Sequence, residues 1–445
     1  MSFPADFTHR MTAQLGAEAP DFFQALTGVP PVSIRLNPFK PSQRFQQDVP
    51  VPWCTQGRYL SERPSFTRDP FFHAGCYYVQ EASSMYVEMI VREHVDVSGV
   101  RFALDLCAAP GGKSTHLRSL LPSQSLLVCN EVVPQRNFIL CENLVKWGHP
   151  GIVVTRNDPE DFTQYANYFD LILVDAPCSG EGMFRKDPIA VKEWSQANVS
   201  LCAARQSTIL ESALAALFPG GILIYSTCTW SEDEDEQQVK RWVDEGLVEV
   251  LSLPVFDGIE RNDYGARFYP HRVKGEGFFI SAMRKKASTD SILNTQRRKS
   301  KPSKQKPFGL SEDQKYLAGD FFYQRQGDDV WAMPTHFKDL LEDLQAGLRV
   351  VYSGCKIGTF KGKELLPSPE IAWSIHRKNS LPFIPLDLSL ALQYLRGEAL
   401  PVDPYLKGWM LLVYEGYSLG WGKAVNGRLN NAYPKEWRIR MDVNR

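Results

Sequence analysis

Between residues 99 and 286 six short apolar runs recur: RFALDLCA, SLLVCN, GIVVTR, FDLILVDA, GILIYSTC and GFFISAM. Most of the gaps hold longer amphipathic stretches with helical spacing, such as 134–147 and 198–217. This alternation constrains the fold more than any other feature. Strands separated by helices demand crossovers, and crossovers give a parallel sheet covered by helices on both faces. The last run is expected as an antiparallel edge strand. In such a sheet ligands bind beyond the carboxyl ends of the strands. Two cysteines fall there: Cys178, in DAPCSGEG after LILV, and Cys228, in YSTCT after ILIY, 50 residues apart. Two thiols at one sheet edge suit paired chemistry, one as a covalent nucleophile and the other handling a proton. Taken singly, each also reads as a buried structural thiol.

At 445 residues the chain has room for two or three domains, and its 43% hydrophobic and 23% charged content is that of a soluble globular protein. Its apolar runs are broken well before the roughly 18 residues of a membrane span. The start, MSFPADFTHR, lacks the basic and apolar regions of a secretion signal. Nine cysteines, an odd count without a CxxC pair, argue against a disulfide framework and for a reducing cytoplasm. Cys54, Cys76, Cys129, Cys141, Cys202 and Cys355 read as structural. The eight histidines are scattered and none pairs with cysteines at zinc spacing, so no metal is expected.

The net charge of −1 conceals a stretch of +8 between Arg284 and Pro307, which leaves −9 for the remainder. Such a run is either a local phosphate-binding field or a solvated linker. With it the chain divides into residues 1–98, which are mixed, Pro-rich and aromatic, the alternating region 99–286, and a basic linker 287–308. A C-terminal part, 309–445, has short β-like runs between Gly and Pro, and no internal repeat is visible.

The first strand of the alternating region ends in DLCAAPGGKST. Gly111 and Gly112 lack a Cβ, so backbone can approach a ligand closely ahead of a helix starting near Lys113, whose amino end favours negative charge. A phosphate-binding P-loop competes, but it needs glycine at 107, where this chain has Cys107, and Pro110 stiffens the loop. The second strand ends in Asn130-Glu131, where an acid can accept from a ribose diol. The third is followed by Asn157-Asp158, placed to meet an adenine amino group, and the fourth by Asp175. Each acid alone is weak evidence, since a lone Glu at a helix start also complements the dipole. Three at successive strand ends after a glycine loop describe an adenosine-cofactor pocket.

Together, DLCAAPGGKS, the strand-end NE, DAPCSGEGMFRKDP and YSTCT followed by SEDEDE resemble the RNA cytosine-5 methyltransferases of the Sun/NOP family. SIRLNP and YYVQEASSM match as well, so the likeness covers roughly residues 30–285 with its motifs in order. The run LGWGKAVNGRLNNAYPKEW is similar to the end of the RsmF-type ribosomal RNA enzymes, whose tail carries a PUA-like RNA-binding module. The resemblance implies an α/β Rossmann-like S-adenosylmethionine-dependent methyltransferase domain over 99–286, mostly parallel with an antiparallel edge strand. A small N-terminal α+β domain over 1–98, an intermediate domain over 309–388 and a PUA-like module over 389–445 complete that expectation.

Carried onto this chain, the family pattern assigns S-adenosylmethionine to the loop Cys107, Ala108, Ala109, Pro110, Gly111, Gly112 and Lys113, with Glu131, Asp158 and Asp175, and Arg136 as a lesser member. It makes Cys228 the nucleophile and Cys178 the residue that releases product. DNA cytosine methyltransferases use the Pro-Cys thiol as nucleophile, so spacing alone leaves the order open and the resemblance decides it. Lys113 is the nearest cation to stabilise a Cys228 thiolate, or else a salt-bridge partner of Asp175. Asp175 is expected to accept from the cytosine amino group or share a proton at ring nitrogen 3. The target base must be unpaired or extruded. Arg185 and Lys186 are expected on its flanking phosphates, and Phe184 stacks or, better, packs. Arg35 and Asn37 pin the substrate strand or hold the domains together. Ser231, with Glu234 three residues on, reads as a helix N-cap.

The leading expectation is thus a cytoplasmic, monomeric enzyme that acts on 16S ribosomal RNA. The same catalytic set on transfer RNA, a non-catalytic ribosome-assembly factor that keeps the fold, and an ATPase are the alternatives. Retention of both thiols and the glycine loop argues against the second, and Cys107 against the third.

Overall fold

The computed structural model describes residues 3–287, 308–311 and 314–440. The centre is a mixed sheet whose strands we label β1 (Phe102–Asp105), β2 (Leu126–Asn130), β3 (Ile152–Thr155), β4 (Phe169–Asp175), β5 (Leu217–Thr227), β6 (Phe278–Lys285) and β7 (Val350–Ser353). Their spatial order is β6-β5-β4-β1-β2-β3-β7. Strands β1 to β5 pair in parallel, and the order reverses between β1 and β4. Such a reversal opens a crevice at the carboxyl edge. Helices α1 (Gly112–Leu120), α2 (Pro134–Trp147) and α3 (Gln196–Ala216) supply the crossovers, so both helical stretches expected at 134–147 and 198–217 are present.

The continuous apolar runs are explained by burial on both faces. Ala103, Leu127, Cys129, Leu171, Leu173, Ile222 and Ile224 point into one core. Their neighbours Phe102, Leu104, Val128, Ile172, Val174, Leu223 and Tyr225 point into the other. Each fully buried aliphatic side chain contributes roughly 1.5–3 kcal/mol, so neither face can be left open.

Several expectations need correction. Strand β6 is antiparallel to β5, as anticipated, but it is not an edge. The strands Gly265–Phe268 and Val248–Val250 both pair with it, and Glu260–Asn262 lies outside the former. The segment 248–268 shows no long apolar run, which hides these short strands in the sequence. Ser231 does not cap a helix. The next helix starts at Glu236, because Ser231 opens a turn and the Glu234 side chain is drawn into a neighbouring loop.

The N-terminal part is α+β. Strands Val49–Val51, Cys54–Leu60, Val32–Leu36 and Tyr77–Val79 form an antiparallel sheet in that order. Helices Ala5–Leu15 and Ala19–Thr27 bury Phe7, Met11, Phe22 and Leu26 against Phe184, Trp194 and Trp230. Phe184 is therefore a packing residue. Arg35 and Asn37, both 1% exposed, lie at the seam with the catalytic part. Arg35 donates to Gln80 Oε1 (2.8 Å), Thr115 Oγ1 (2.6 Å) and the Gly112 carbonyl (3.2 Å), and lies over the Trp147 ring. Asn37 donates to the carbonyls of Gly75 and Trp147. Buried and bonded across the seam through Arg35 Nε and Nη2 and Asn37 Nδ2, the pair holds the domains together and does not reach a substrate strand.

Cys54, Glu88 and His116 are the one group of ligand-type side chains that converges among the described residues. Their atoms are taken up by one another: both Cys54 Sγ (3.1 Å) and His116 Nε2 (3.0 Å) meet Glu88 Oε2. Burial pushes the Cys54 thiol up to about 12 and lowers His116 to about 4, so both are neutral partners of one carboxylate.

Beyond residue 308 the strands Phe321–Gln326, Asp329–Pro334, Cys355–Lys361 and Glu364–Pro367 form one sheet. A second contains Phe383–Leu386, Gly408–Tyr414, Tyr417–Val425, Arg428–Asn431 and Leu400–Pro401. The boundary expected at 389 thus falls too late, because Phe383–Leu386 pairs in parallel with Gly408–Tyr414 and belongs to the terminal unit. The expected intermediate domain is not separate either, since it supplies β7 to the catalytic sheet. Most of the basic run, residues 288–307, lies outside the described residues.

Candidate active site

A cleft of about 1120 Å³ opens at the carboxyl edge between the N-terminal sheet and the catalytic sheet. Its walls include the glycine loop, Asp175, Cys178, Cys228 and Phe278 from the catalytic part and Tyr78 from the N-terminal sheet. Gly111 sits at φ +111° and a Cβ on it would meet Leu140, so the turn into α1 requires glycine there. A Cβ on Gly112 would come to 3.3 Å from the Tyr78 ring.

The two thiols are brought together: Cys178 Sγ and Cys228 Sγ are 3.1 Å apart, and the Cys228 N–H donates to Cys178 Sγ at 3.4 Å. Two buried carboxylates stitch their loops. Glu234 accepts from the Ser179 N–H (2.8 Å) and Oγ–H (2.5 Å), so the residue after Cys178 is fixed by the segment after Cys228. Glu181 accepts from the Trp230 N–H (3.0 Å), Trp194 Nε1 (2.9 Å) and Arg10 (2.6 Å). The Gly182 N–H donates to the Cys228 carbonyl at 2.8 Å. A Cβ on Gly182 would stand 2.5 Å from the Gly277 carbonyl oxygen, which excludes any other residue there without a shift.

Cys178 is held as a thiol, well above the ordinary cysteine range, first by its hydrogen bond to Cys228 and then by burial. Lys113 Nζ is 2.8 Å from Asp175 Oδ1. Burial opposes the lysine charge, but Asp175 and, more weakly, Cys228 outweigh it and raise Lys113 above its ordinary value. Ser226 Oγ donates to the same Asp175 oxygen at 2.8 Å.

Asp105 escaped the sequence reading. Its Oδ2 accepts from Ser114 (2.6 Å), while Oδ1 is buried without a hydrogen-bond partner among the described residues, on the floor of the cleft. Burial raises its carboxyl to about 7, and the neighbouring Asp175 charge adds to the effect. As the last residue of β1, directly ahead of the glycine loop, Asp105 occupies a strand-end position like Glu131 and Asp175, and that was the available signal.

Of the remaining candidates, Cys107, Ala108, Ala109, Pro110 and Arg136 line the cleft, whereas Gly111, Glu131 and Asp158 do not. Glu131 accepts from the Val133 N–H and has Arg136 at 3.4 Å. Asp158 is exposed just beyond β3. Arg185, at the cleft wall, is already engaged by Glu276 (2.8 Å) and the carbonyls of Gly275 and Ala25. Its expected role on a flanking phosphate is corrected to holding the wall. Lys186 pairs with Glu276 at 3.3 Å and is one-third exposed.

Sheet order, carboxyl-edge cleft, glycine loop and strand-end acids define a Rossmann-like S-adenosylmethionine-dependent methyltransferase. Comparison with known proteins narrows the class. Residues 95–284 match the family described as 16S rRNA methyltransferase RsmB/F. Residues 3–82 match the N-terminal domain of 16S rRNA methyltransferase RsmF, and 382–439 the methyltransferase RsmF PUA domain. A ribosomal RNA small subunit methyltransferase F from Aeromonas hydrophila is 32% identical over 439 residues, covering 91% of this chain and 90% of the relative. The one from Shewanella loihica is 31% identical, covering 88% and 84%. The chain belongs to the RsmF family of ribosomal RNA methyltransferases. Among solved structures, a methyltransferase homolog from Pyrococcus horikoshii is 29% identical with a TM-score of 0.55, covering 64% of this chain and 96% of that one. NSun6 from the same organism, solved with the S-adenosylmethionine analogue SFG, shares the fold at 21% identity and a TM-score of 0.55, covering 64% and 99%. No helix among the described residues is long and apolar enough to cross a membrane.

Proposed function

We propose that the protein methylates carbon 5 of a cytosine in 16S ribosomal RNA of the small subunit, with Cys228 as nucleophile and Cys178 as the group that releases product. The observation that carries this reading is the pair of thiols 3.1 Å apart on the cleft wall, beside a Lys113–Asp175 ion pair. The ribosomal substrate is inferred from the relatives' names and from the match of residues 382–439 to their PUA domain.

The cleft fits S-adenosylmethionine. The unpartnered Asp105 Oδ1 offers a carboxylate to a cationic group, and the glycine loop, with Glu131, Arg136 and Asp158 on the neighbouring edge, is suited to the rest. When bound, the cofactor supplies an electrophilic methyl group. Cytosine carbon 5 is too weak a nucleophile to take it while the ring is aromatic. Attack of the Cys228 sulfur on carbon 6 breaks aromaticity and leaves an electron pair at carbon 5. The negative charge that develops at nitrogen 3 is relieved by a proton shared between that nitrogen and Asp175, which Lys113 and Ser226 hold in place.

Removal of the carbon-5 proton then drives elimination of the Cys228 sulfur and restores the ring. Cys178 is protonated chiefly because it is hydrogen-bonded to Cys228. Once Cys228 is a thioether its thiolate no longer takes part in that hydrogen bond, and Cys178 is left beside carbon 5 to act as base or to steer a water. Digestion of treated 16S ribosomal RNA to nucleosides tests the reading: it predicts 5-methylcytidine, and a methyl group on any other position would refute it.

A further inference from the structure

The region between the methyltransferase match, which ends at 284, and the PUA match, which begins at 382, is assigned to neither. Yet part of it is built into the catalytic sheet. Strand β7 pairs antiparallel with β3, the strand that leads into Asn157-Asp158. Ahead of it, Phe337, Leu341, Leu344 and Leu348 are buried in the core that holds Phe162, Tyr165 and Phe169. The Tyr165 hydroxyl donates to the Asp343 carbonyl at 2.9 Å, and Gln164 Nε2 to that of Gly347 at 3.1 Å.

The contact continues into the ligand edge. The Arg349 N–H donates to Asn157 Oδ1 at 3.0 Å, and the Arg156 N–H to the Arg349 carbonyl at 3.0 Å. From the other side, Asn130 brackets the Asn157 backbone: its Oδ1 accepts the Asn157 N–H and its Nδ2 donates to the Asn157 carbonyl, both at 3.0 Å. Asn130 Nδ2 also donates to the Leu106 carbonyl (3.2 Å), and the Ala108 N–H donates to the Asn130 carbonyl (2.8 Å). A continuous hydrogen-bonded path therefore runs from the C-terminal segment through Asn157 and Asn130 to the glycine loop.

We infer that Arg349 and β7 are working parts of the cofactor site, and that Asn157 is a positioning residue through which the C-terminal segment sets S-adenosylmethionine affinity. This rests on cofactor binding at the carboxyl edge and not on the cytosine chemistry. The catalytic unit then extends past residue 308, and a fragment ending there has an open β3 edge and an unanchored adenosine end.

The test is a double-mutant cycle in the full-length protein. Asn157→Ala removes the acceptor. Arg349→Pro removes the donor but keeps the carbonyl, and Leu348, at φ −121° and ψ 151°, has the conformation favoured before proline. Binding of S-adenosylhomocysteine is measured by calorimetry, with KM for S-adenosylmethionine and kcat measured alongside. Loss of one hydrogen bond predicts a roughly two- to tenfold rise in Kd and KM for each variant, with kcat nearly unchanged. The double variant should be no weaker than Asn157→Ala, because the Arg349 contact is one of the two that Asn157→Ala deletes, the other being a bond to Asp161 Oδ2 at 2.9 Å. Unchanged Kd in both single variants, or fully additive effects, would overturn the inference. If Arg349→Pro fails to fold by circular dichroism, Asn157→Ala is compared with Asp161→Ala, which removes the other Asn157 side-chain bond (2.9 Å): a Kd raised by the former and not the latter upholds the inference, and an unchanged Kd or equal rises overturn it.

Discussion

Asp105→Asn is expected to stabilise the folded protein at neutral and alkaline pH while weakening cofactor binding. Asp105 is fully buried, its Oδ1 has no hydrogen-bond partner, and the Asp175 carboxylate adds repulsion, so its carboxyl is raised to about 7. In the unfolded chain the same group titrates near 4. Between these values the folded state holds the proton and the unfolded state does not. Stability therefore falls as pH rises from about 4 to about 7 and stays low above it. The difference corresponds to about 4 kcal/mol at most. Asn cannot ionise, so the variant should lack this component. Urea unfolding without cofactor at pH 5 and pH 8 measures it. The wild type should lose more stability than the variant between the two, and the variant should be the more stable at pH 8. Calorimetry with S-adenosylmethionine should show weaker binding to the variant, since its cationic groups lose a carboxylate partner. Parallel pH profiles for both proteins would refute the argument that this carboxylate is stored uncompensated for the ligand.

Other consequences are separable. Cys228→Ala should abolish turnover and leave S-adenosylhomocysteine affinity within about twofold by calorimetry, because the thiol is assigned to the base and not to the cofactor. Arg35→Ala should destabilise the protein by about 1–3 kcal/mol in urea titration, since it leaves the neutral Gln80 amide oxygen at the domain seam without its donor. Gly182→Ala should cut kcat while sparing cofactor affinity, because its Cβ would push the Cys178 loop off the Cys228 carbonyl.

The parallel sheet, its helices and the glycine loop were legible because buried strands and crossover helices impose different periodicities on the chain. The two thiols were legible because each directly follows an apolar run. Which basic residues are free was not. In a one-dimensional reading Arg35 and Asn37 serve equally as substrate-strand pins or domain-holding residues and Arg185 as a phosphate ligand, but each is bonded to carbonyl or carboxylate oxygens tens of residues away. The acidic SEDEDE was similarly opaque: Glu234, Asp235 and Glu236 are inside the protein, on Ser179, Thr227 and Arg267. Strand β7 was invisible for a further reason. It reaches its partner β3 only after a stretch of nearly two hundred residues, and local pattern carries no record of such pairing.

The division of labour between the thiols is the central claim, and trapping tests it most directly. Cys178→Ala, incubated with 16S ribosomal RNA or small subunits and S-adenosylmethionine, should retain RNA on a denaturing gel as an adduct lost when Cys228 is also replaced. Sequencing the retained RNA then names the cytosine. An adduct formed instead by Cys228→Ala, or undiminished turnover of Cys178→Ala with no adduct, would contradict the roles assigned here.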